Sequence, residues 1–313
     1  MQRRRFIQIM ASSFAGASLG RTTTAAPALG AVQWNGYTLG AEGRFTLFTE
    51  DRAAAQVVLK HCFREIQRLE NIFSLYDHTS ELSQLNREGA LAKPSADWRS
   101  ILDAVTNAHA TTQGLFDPTI QPLWKAYDNH FSKQSEPPIN FEPQHETVGW
   151  GFVNYSESQV HFERPNMQLT LNGIAQGFIT DRVTAIIKDA GYAHVLVELG
   201  ETRAIGQHPD NRAWNVGIKD ATNTTQLHEV VELTDQALAT SGSYGSTFSE
   251  DGKYHHLIHP KLGLPSTHWK SLSVIAPTAT EADALSTGLS FANKSQITAL
   301  TESRADLLVF LQA

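Results

Sequence analysis

The feature that most constrains the fold is a change in hydrophobic period partway along the chain. Over residues 52–73 and 96–112, apolar side chains recur every three to four positions, which places them on one face of a helix. After Gly191 the apolar residues come in short runs broken by Gly, Pro and Asn, which is typical of strands joined by tight turns. Strands clustered after helices predict an α+β fold with mixed or antiparallel strands and packed helices.

The same patterns predict individual elements. We expect helices over 52–73 and 96–112, a third from Asn172 to about Gly191, and a final helix that begins near Thr280. Strands are expected at 194–200, 214–220, 228–234, 254–260 and 272–278, with a closing strand in DLLVFLQA. The polar segment 132–147 is expected to be a surface loop, and no repeat or linker divides residues 31–313.

The first 30 residues predict an export signal instead of a part of the fold. MQRRRFIQIM joins a basic start to an apolar stretch, and its paired arginines are typical of a twin-arginine signal. Small residues follow, and cleavage is expected near Ala28 or Ala31. This predicts a periplasmic protein with one mature domain over 31–313; the alternative is a disordered basic tail.

Net charge, apolar runs and cysteine content indicate which partners, membrane spans and thiol chemistry are expected. The formal net charge is −7, and because the first 30 residues hold four arginines and no acid, the remainder carries −11. An acidic protein of this kind is a poor partner for nucleic acid. No apolar run is long enough for a stable membrane span. Cys62 is the only cysteine and lies on an apolar helical stripe, which predicts a buried, inert thiol.

The stretch APTATEADALSTGLSFA, residues 276–292, holds candidate metal ligands. Positions i, i+3 and i+4 of a helix share a face, so Asp283, Ser286 and Thr287 would present a carboxylate and two hydroxyls together. Such hard oxygen donors suit a Mg²⁺ ion that also binds water and phosphate. The alternative is a helix cap formed by Thr280 and Asp283.

Two further stretches allow both a functional and a structural interpretation. In LTLNGIAQGFITDRV, residues 169–183, the backbone N–H groups at a helix start could hold a pyrophosphate, or the glycines could serve only a tight turn. Phe116, Asp117, Pro118 and Thr119 bring an aromatic ring and an acid together, but an Asx-type turn explains them as well.

The histidines of YHHLIHP, residues 254–260, favour a catalytic base over a zinc site. On a strand, His255 and His259 would point one way and His256 the other, and no zinc-binding helical spacing is present. One histidine is a suitable general base because its pKa lies close to neutral pH.

Together these stretches resemble the ApbE family, the FAD:protein FMN transferases, from about Leu39 to the C-terminus. The motifs occur in the family's order: LGAEGRF, LENIFSLYDHTSELSQLN, GLFDPT, LNGIAQGFITDRV, VLVELGETRAIG, ALATSGSYG, HHLIHPKLG and ADALSTGLSFA. The resemblance implies a single ApbE-like domain.

The implied reaction transfers FMN from FAD to a Thr or Ser hydroxyl of an acceptor flavoprotein subunit, membrane-bound or periplasmic, and releases AMP. Mg²⁺ is the implied metal, with Ca²⁺ or Mn²⁺ as alternatives. Two other activities stay open, namely an FAD pyrophosphatase that yields FMN and AMP, and a non-catalytic periplasmic FAD-binding protein.

The resemblance also implies roles for single residues. Asp283, Thr287 and Ser286 match the metal face, the carbonyl of Gly173 faces the metal, and His256 matches the base. The implied flavin or FAD contacts are Leu39, Tyr76, Leu115, Phe116, Asp117, Thr170, Gln176 and Ile258.

Several residues depart from the family pattern. Thr170 replaces a frequent Asp, Gln176 replaces a Lys or Glu, and Glu201 takes the place of a second glycine after Gly200. His259 and Leu262 replace an Asp and a Thr. Loss of polar partners at 170 and 176 would weaken FAD binding by about 1–3 kcal/mol each, and these two departures motivate the binding-protein alternative.

Overall fold

The computed structural model describes residues 30–38, 41–137 and 141–313. Its strands are β1 Gly30–Thr38, β2 Ala41–Thr49, β3 Ala90–Ala92, β4 Val153–Tyr155, β5 Gln159–Phe162, β6 Val195–Glu198, β7 Thr202–Ile205, β8 Trp214–Lys219, β9 Leu227–Leu233, β10 Ala237–Gly242, β11 Ser271–Ala276 and β12 Leu308–Gln312. Its helices are α1 Arg52–Phe73, α2 Glu81–Glu88, α3 Ala96–Thr111, α4 Gln121–Phe131, α5 Glu142–His145, α6 Ala175–Asp189, α7 Ala279–Leu289 and α8 Lys294–Ser303.

A seven-stranded sheet organises the described part of the chain. Its strand order is β1-β2-β6-β7-β10-β11-β12, and every neighbouring pair is antiparallel. A three-stranded sheet (β3-β5-β4) and the β8–β9 hairpin complete the strands. This arrangement confirms the predicted α+β class.

Helices α1, α3, α6 and α7 provide the helical side of the core. The predicted stripe of α1 is buried at Leu59, Cys62, Ile66 and Leu69. Burial raises the pKa of the Cys62 thiol to about 12, so the thiol is inert at neutral pH, as predicted.

Two large apolar clusters lie on either side of α7. One joins α1, α3 and α6 to β2 and β6, and Ala284 of α7 belongs to it. The other packs Ala282, Leu285 and Leu289 of α7 against β10 and β11. Helix α7 is therefore held between the two clusters, and the position of its polar side chains is fixed by packing.

Three predictions about the elements are wrong. Residues 254–260 form no strand, because their backbone bonds to nearby loops: the N–H of His256 donates to Ser246 and that of His259 to Leu264. The helix near residue 280 is followed by another, α8, which buries only Ile297 and so has a weak apolar stripe. Segment 132–147 contains the short helix α5.

The remaining predicted elements are confirmed with shifts of a few residues at their ends. Among the elements for which no prediction was made, β1 and β2 form one edge of the main sheet, and β10 is an interior strand between β7 and β11. Within the described residues, no helix combines the length and the apolar character needed to cross a bilayer.

Candidate active site

The candidate site lies where α6 crosses α7. Gly177 makes this close crossing possible, because a Cβ atom there would lie 2.2 Å from the carbonyl oxygen of Ala279. Its backbone N–H donates a 3.0 Å hydrogen bond to Oδ2 of Asp283. The crossing thus encloses the Asp283 carboxylate, and this residue is 5% exposed.

Asp283 is not a helix cap, so the capping interpretation is wrong. Helix α7 starts at Ala279, earlier than predicted, and the Thr278 hydroxyl caps it by accepting from the N–H of Glu281. Asp181 of α6 accepts from the N–H groups of Ala279 and Thr280. The orphan donors of the first turn are therefore satisfied without the Asp283 side chain.

The pKa of Asp283 is raised to about 7: burial is the main cause, the hydrogen bond from Gly177 opposes the shift, and the nearby Asp181 carboxylate adds to it. Burial disfavours the charged carboxylate because its hydration is lost. A bound cation would favour the charged form, so a cation and this carboxylate would stabilise each other.

Hydroxyl groups from α7 and β10 form a cluster one turn along α7 from Asp283. Ser241 of β10 places its Oγ 2.8 Å from Oγ of Ser286 and 3.2 Å from Oγ1 of Thr287. Ser286 is 1% exposed and donates to the carbonyl oxygen of Asp283, whereas Thr287 is only partly buried. Thr287 is therefore the more accessible of the two hydroxyls predicted from the sequence.

Gly173 lies against Thr287, since a Cβ atom at Gly173 would be 2.8 Å from Oγ1 of Thr287. The structure thus brings the four predicted metal residues into one cluster. Sequence reasoning missed Ser241, although its small polar neighbours in ALATSGSYG gave a signal. Across the described ranges no three His, Cys, Asp or Glu side chains form a metal cluster. The side-chain donors here are one carboxylate and hydroxyls, a set that suits a hard cation, and a metal contact of the Gly173 carbonyl stays a prediction.

A groove of about 270 Å³ lies beside this cluster, between the end of α1 and the start of α6. Tyr76, Asn172 and Gln176 line it, and Tyr76 is 60% exposed. The Gln176 amide packs on Gly200, where an added Cβ would lie 2.5 Å from Nε2. Two predicted cofactor-binding residues, Tyr76 and Gln176, therefore share one groove.

The segment Leu115, Phe116 and Asp117 packs against α7. Leu115 and Phe116 are 7% and 4% exposed, and a Cβ atom at Gly288 would lie 2.9 Å from Cβ of Phe116. Asp117 accepts from the N–H and the hydroxyl of Thr119, which confirms the Asx-type turn. Contact of these residues with a cofactor stays a prediction.

Three other predicted residues have different surroundings. The N–H of Thr170 donates to Pro118, and its hydroxyl accepts from the N–H of Asn172, so Thr170 orders the turn before Gly173. Ile258 is 3% exposed in a small apolar cluster with Leu123 and Tyr127. Leu39 lies outside the described residues.

His255 and His256 differ in how many of their ring nitrogen atoms bond to the backbone. Nε2 of His255 bonds to the carbonyl oxygen of Ser266 and Nδ1 accepts from the N–H of Leu257, so both nitrogens serve the backbone. Nδ1 of His256 bonds to the carbonyl oxygen of Ser246. Because a carbonyl only accepts, His256 carries its proton on Nδ1 and directs an unprotonated Nε2 elsewhere.

The pKa of His256 is lowered to about 4: burial is the main cause, the bond to Ser246 opposes the shift, and the neighbouring His255 adds to it. The ring is therefore neutral at pH 7 and its Nε2 can accept a proton. A pKa of about 4 is far below the near-neutral value expected from the sequence and makes the ring a weaker base than an ordinary histidine, so the base role of His256 stays a prediction.

Residues 39–311 match the sequence model of the ApbE family. The chain belongs to this family. Two ApbE-family relatives, the FAD:protein FMN transferases of Haemophilus influenzae and Treponema pallidum, are each 31% identical to it. The first alignment covers 69% of this chain and 67% of the relative, and the second covers 75% and 72%.

Solved ApbE structures share the fold. The flavin transferase ApbE from Vibrio cholerae superposes with a TM-score of 0.77 at 24% identity, over 90% of this chain and 94% of its own. The ApbE protein from Thermotoga maritima gives a TM-score of 0.80 at 23% identity, over the same shares. The single ApbE-like domain expected from the motifs is thereby confirmed.

Proposed function

We propose that this ApbE-family chain is an FAD:protein FMN transferase that depends on Mg²⁺. It would transfer FMN from FAD to a Thr or Ser hydroxyl of an acceptor flavoprotein and release AMP. The observation that carries this proposal is the enclosed Asp283 carboxylate beside Thr287 and Gly173 at the α6–α7 crossing. The names of the curated relatives support the same reaction.

The donors present at this site fit a hard divalent cation. The Asp283 carboxylate, the Thr287 hydroxyl and the Gly173 carbonyl would hold Mg²⁺, with Ca²⁺ or Mn²⁺ as alternatives. When bound, the ion would neutralise negative charge on the FAD diphosphate as that charge increases during transfer.

His256 would accept the proton that the acceptor hydroxyl loses. The acceptor oxygen bonds to the phosphorus of the FMN half, the bond from that phosphorus to the bridging oxygen breaks, and AMP leaves with that oxygen. The hydroxyl proton moves to Nε2 of His256, which is available because Nδ1 holds the ring's proton.

The groove lined by Tyr76 and Gln176 would bind part of FAD. Tyr76 offers an aromatic face at the groove surface, and Gln176 offers a neutral amide. The buried residues Leu115 and Phe116 pack against α7 and would act on the cofactor through the position of that helix.

We also propose that the protein is exported to the periplasm by the twin-arginine route and that residues 31–313 form the mature domain. The N-terminal signal pattern carries this proposal, and it lies outside the described residues. Detection of the mature N-terminus by mass spectrometry of periplasmic protein, with the Arg3 and Arg4 pair replaced by Lys as a control, would test it.

Incubation of an acceptor flavoprotein with this protein, FAD and Mg²⁺ tests the transferase. Intact mass should show one esterified FMN, AMP should appear in equal amount, and Asp283→Ala should abolish both. AMP without labelling of any acceptor would indicate an FAD pyrophosphatase. Bound FAD with neither product would indicate a binding protein, with Thr170 and Gln176 as the responsible departures.

A further inference from the structure

Glu201 is a buried carboxylate to which neither the family pattern nor the mechanism above gives a role. It lies in the turn between β6 and β7, directly after Gly200, whose φ of +95° suits only a residue without a side chain. Glu201 is 6% exposed, and its Oε2 atom has no hydrogen-bond partner among the described residues. A buried carboxylate oxygen without a hydrogen-bond donor or a cation beside it lowers the stability of the fold.

The surroundings of Glu201 place it at the α6–α7 site. The backbone N–H of Thr240 hydrogen-bonds to it, and the next residue along β10 is Ser241, which contacts Ser286 and Thr287. Burial raises the pKa of Glu201 well above its usual range, and the charge of Asp283 raises it further. Thr202 pairs with Leu238 of β10, so the preceding residue, Glu201, faces the same side of the sheet as Ala239, which packs in one cluster with α7.

Within the described residues, neither Glu201 nor Asp283 forms an ion pair with a Lys, Arg or His side chain. The Arg203 side chain, two residues along from Glu201, pairs with Asp181 at 3.6 Å instead. Two buried like charges repel each other, and a divalent ion between them would remove both the repulsion and the unpaired oxygen.

We propose that Glu201 is a second carboxylate of the cation site and faces the ion that Asp283 and Thr287 bind. This inference rests on the proposed function, because that function supplies the metal. In place of a glycine, Glu201 would give the ion a ligand from the sheet in addition to those from α7 and from the turn before α6.

Glu198 provides a matched control. It lies at the other side of the same turn and is 7% exposed, but its carboxylate lies 4.0 Å from Nε of Arg44. A Glu-to-Gln change at either position removes one buried charge and keeps the side-chain volume. Only the change at Glu201 should alter the affinity for a cation.

The test is Mn²⁺ binding, by electron paramagnetic resonance and calorimetry, to full-length protein without FAD. We expect Glu201→Gln to raise the Kd at least tenfold, Glu201→Asp about threefold, and Glu198→Gln less than twofold. The rise in melting temperature caused by Mn²⁺ should shrink in Glu201→Gln, whereas the metal-free melting temperature should stay the same or rise because a repulsion is removed.

Unchanged Mn²⁺ affinity in a folded Glu201→Gln protein would overturn the inference. If that variant does not fold, Glu201→Asp decides in the same way, since an unchanged Kd there also contradicts a ligand role. Transfer of FMN is measured separately. If Mn²⁺ binding depends on Glu201 but the wild-type protein transfers no FMN, only the proposed function is refuted. If the wild-type protein transfers FMN but Glu201→Gln binds Mn²⁺ with unchanged affinity, only this inference is refuted.

Discussion

The backbone N–H of Gly177 and the carboxylate of Asp283, 106 residues apart in the chain, form a 3.0 Å hydrogen bond across the α6–α7 crossing. This bond fixes the direction of the carboxylate without neutralising it. Because Gly177 has no side chain, its backbone N–H can come close enough to bind the Asp283 carboxylate, so the two residues form one structural unit.

Asp283→Ala should abolish metal-dependent AMP release while the protein stays folded, because Thr278 and Asp181 already satisfy the first turn of α7. Thr278→Ala removes the actual cap and should cost about 1 kcal/mol of stability with FMN transfer retained. AMP release and urea unfolding of the two variants check this. Turnover retained by Asp283→Ala would contradict the metal role.

Asp283 should make metal-free stability depend on pH. Its pKa is raised from 3.8 to about 7 in the folded state, so its contribution is complete below pH 3.8 and is lost as the pH rises through 7. In EDTA, Asp283→Asn should therefore be more stable than wild type at pH 8, by about 2–4 kcal/mol, and nearly equal to it at pH 4. Urea unfolding at both pH values measures this difference, and the titration of His256 cancels because both proteins contain it.

Gly177→Ala should destabilise the protein by about 1–3 kcal/mol or prevent folding, since its Cβ would meet the Ala279 carbonyl and the Asp283 side chain. Gly151→Ala is the matched control, because an added Cβ there has no atom within 4 Å. Thermal unfolding of both variants checks the prediction. Equal melting temperatures would show that the helix crossing can relax.

Replacement of His256 should lower the rate of FMN transfer, whereas replacement of the adjacent His255 should lower the stability of the fold. His256→Ala should lower the rate of FMN transfer by about 10²–10⁴-fold and leave the Kd for FAD within a few-fold. His255→Ala breaks two buried backbone contacts and should cost about 1–3 kcal/mol of stability. Transfer kinetics, FAD titration and unfolding of each variant provide the comparison, and parallel losses of rate and FAD affinity in His256→Ala would argue against a base.

Local periodicity predicted the helices that bury a full stripe. Helix α1 was located to the residue because its stripe of Leu59, Cys62, Ile66 and Leu69 is continuous and fully buried. Helix α8 was missed because only Ile297 is buried, although Asn293 and Gln296 form a capping box that is visible in the sequence. Segment 254–260 was misassigned because its alternation has no adjacent strand to pair with.

The shared face of the proposed metal ligands could be predicted from spacing, but its environment could not. The i, i+3, i+4 rule places Asp283, Ser286 and Thr287 together. The enclosure of Asp283 by Gly177, the approach of Ser241 from β10 and the burial of Glu201 all depend on contacts between distant segments. The cap assignment failed for a local reason, since two threonines two residues apart, Thr278 and Thr280, both fit the capping pattern.

The order of the parts along the chain has a consequence for biosynthesis. The groove is built from residues 70–77 and 172–179, whereas the cation face needs β10 and α7, and β11 and β12 complete the sheet beside them. A nascent chain that ends before α7 has the segments that form the groove but lacks Asp283 and Thr287. The proposed metal-dependent chemistry therefore requires α7 to be synthesised and packed, whereas the groove segments come earlier in the chain.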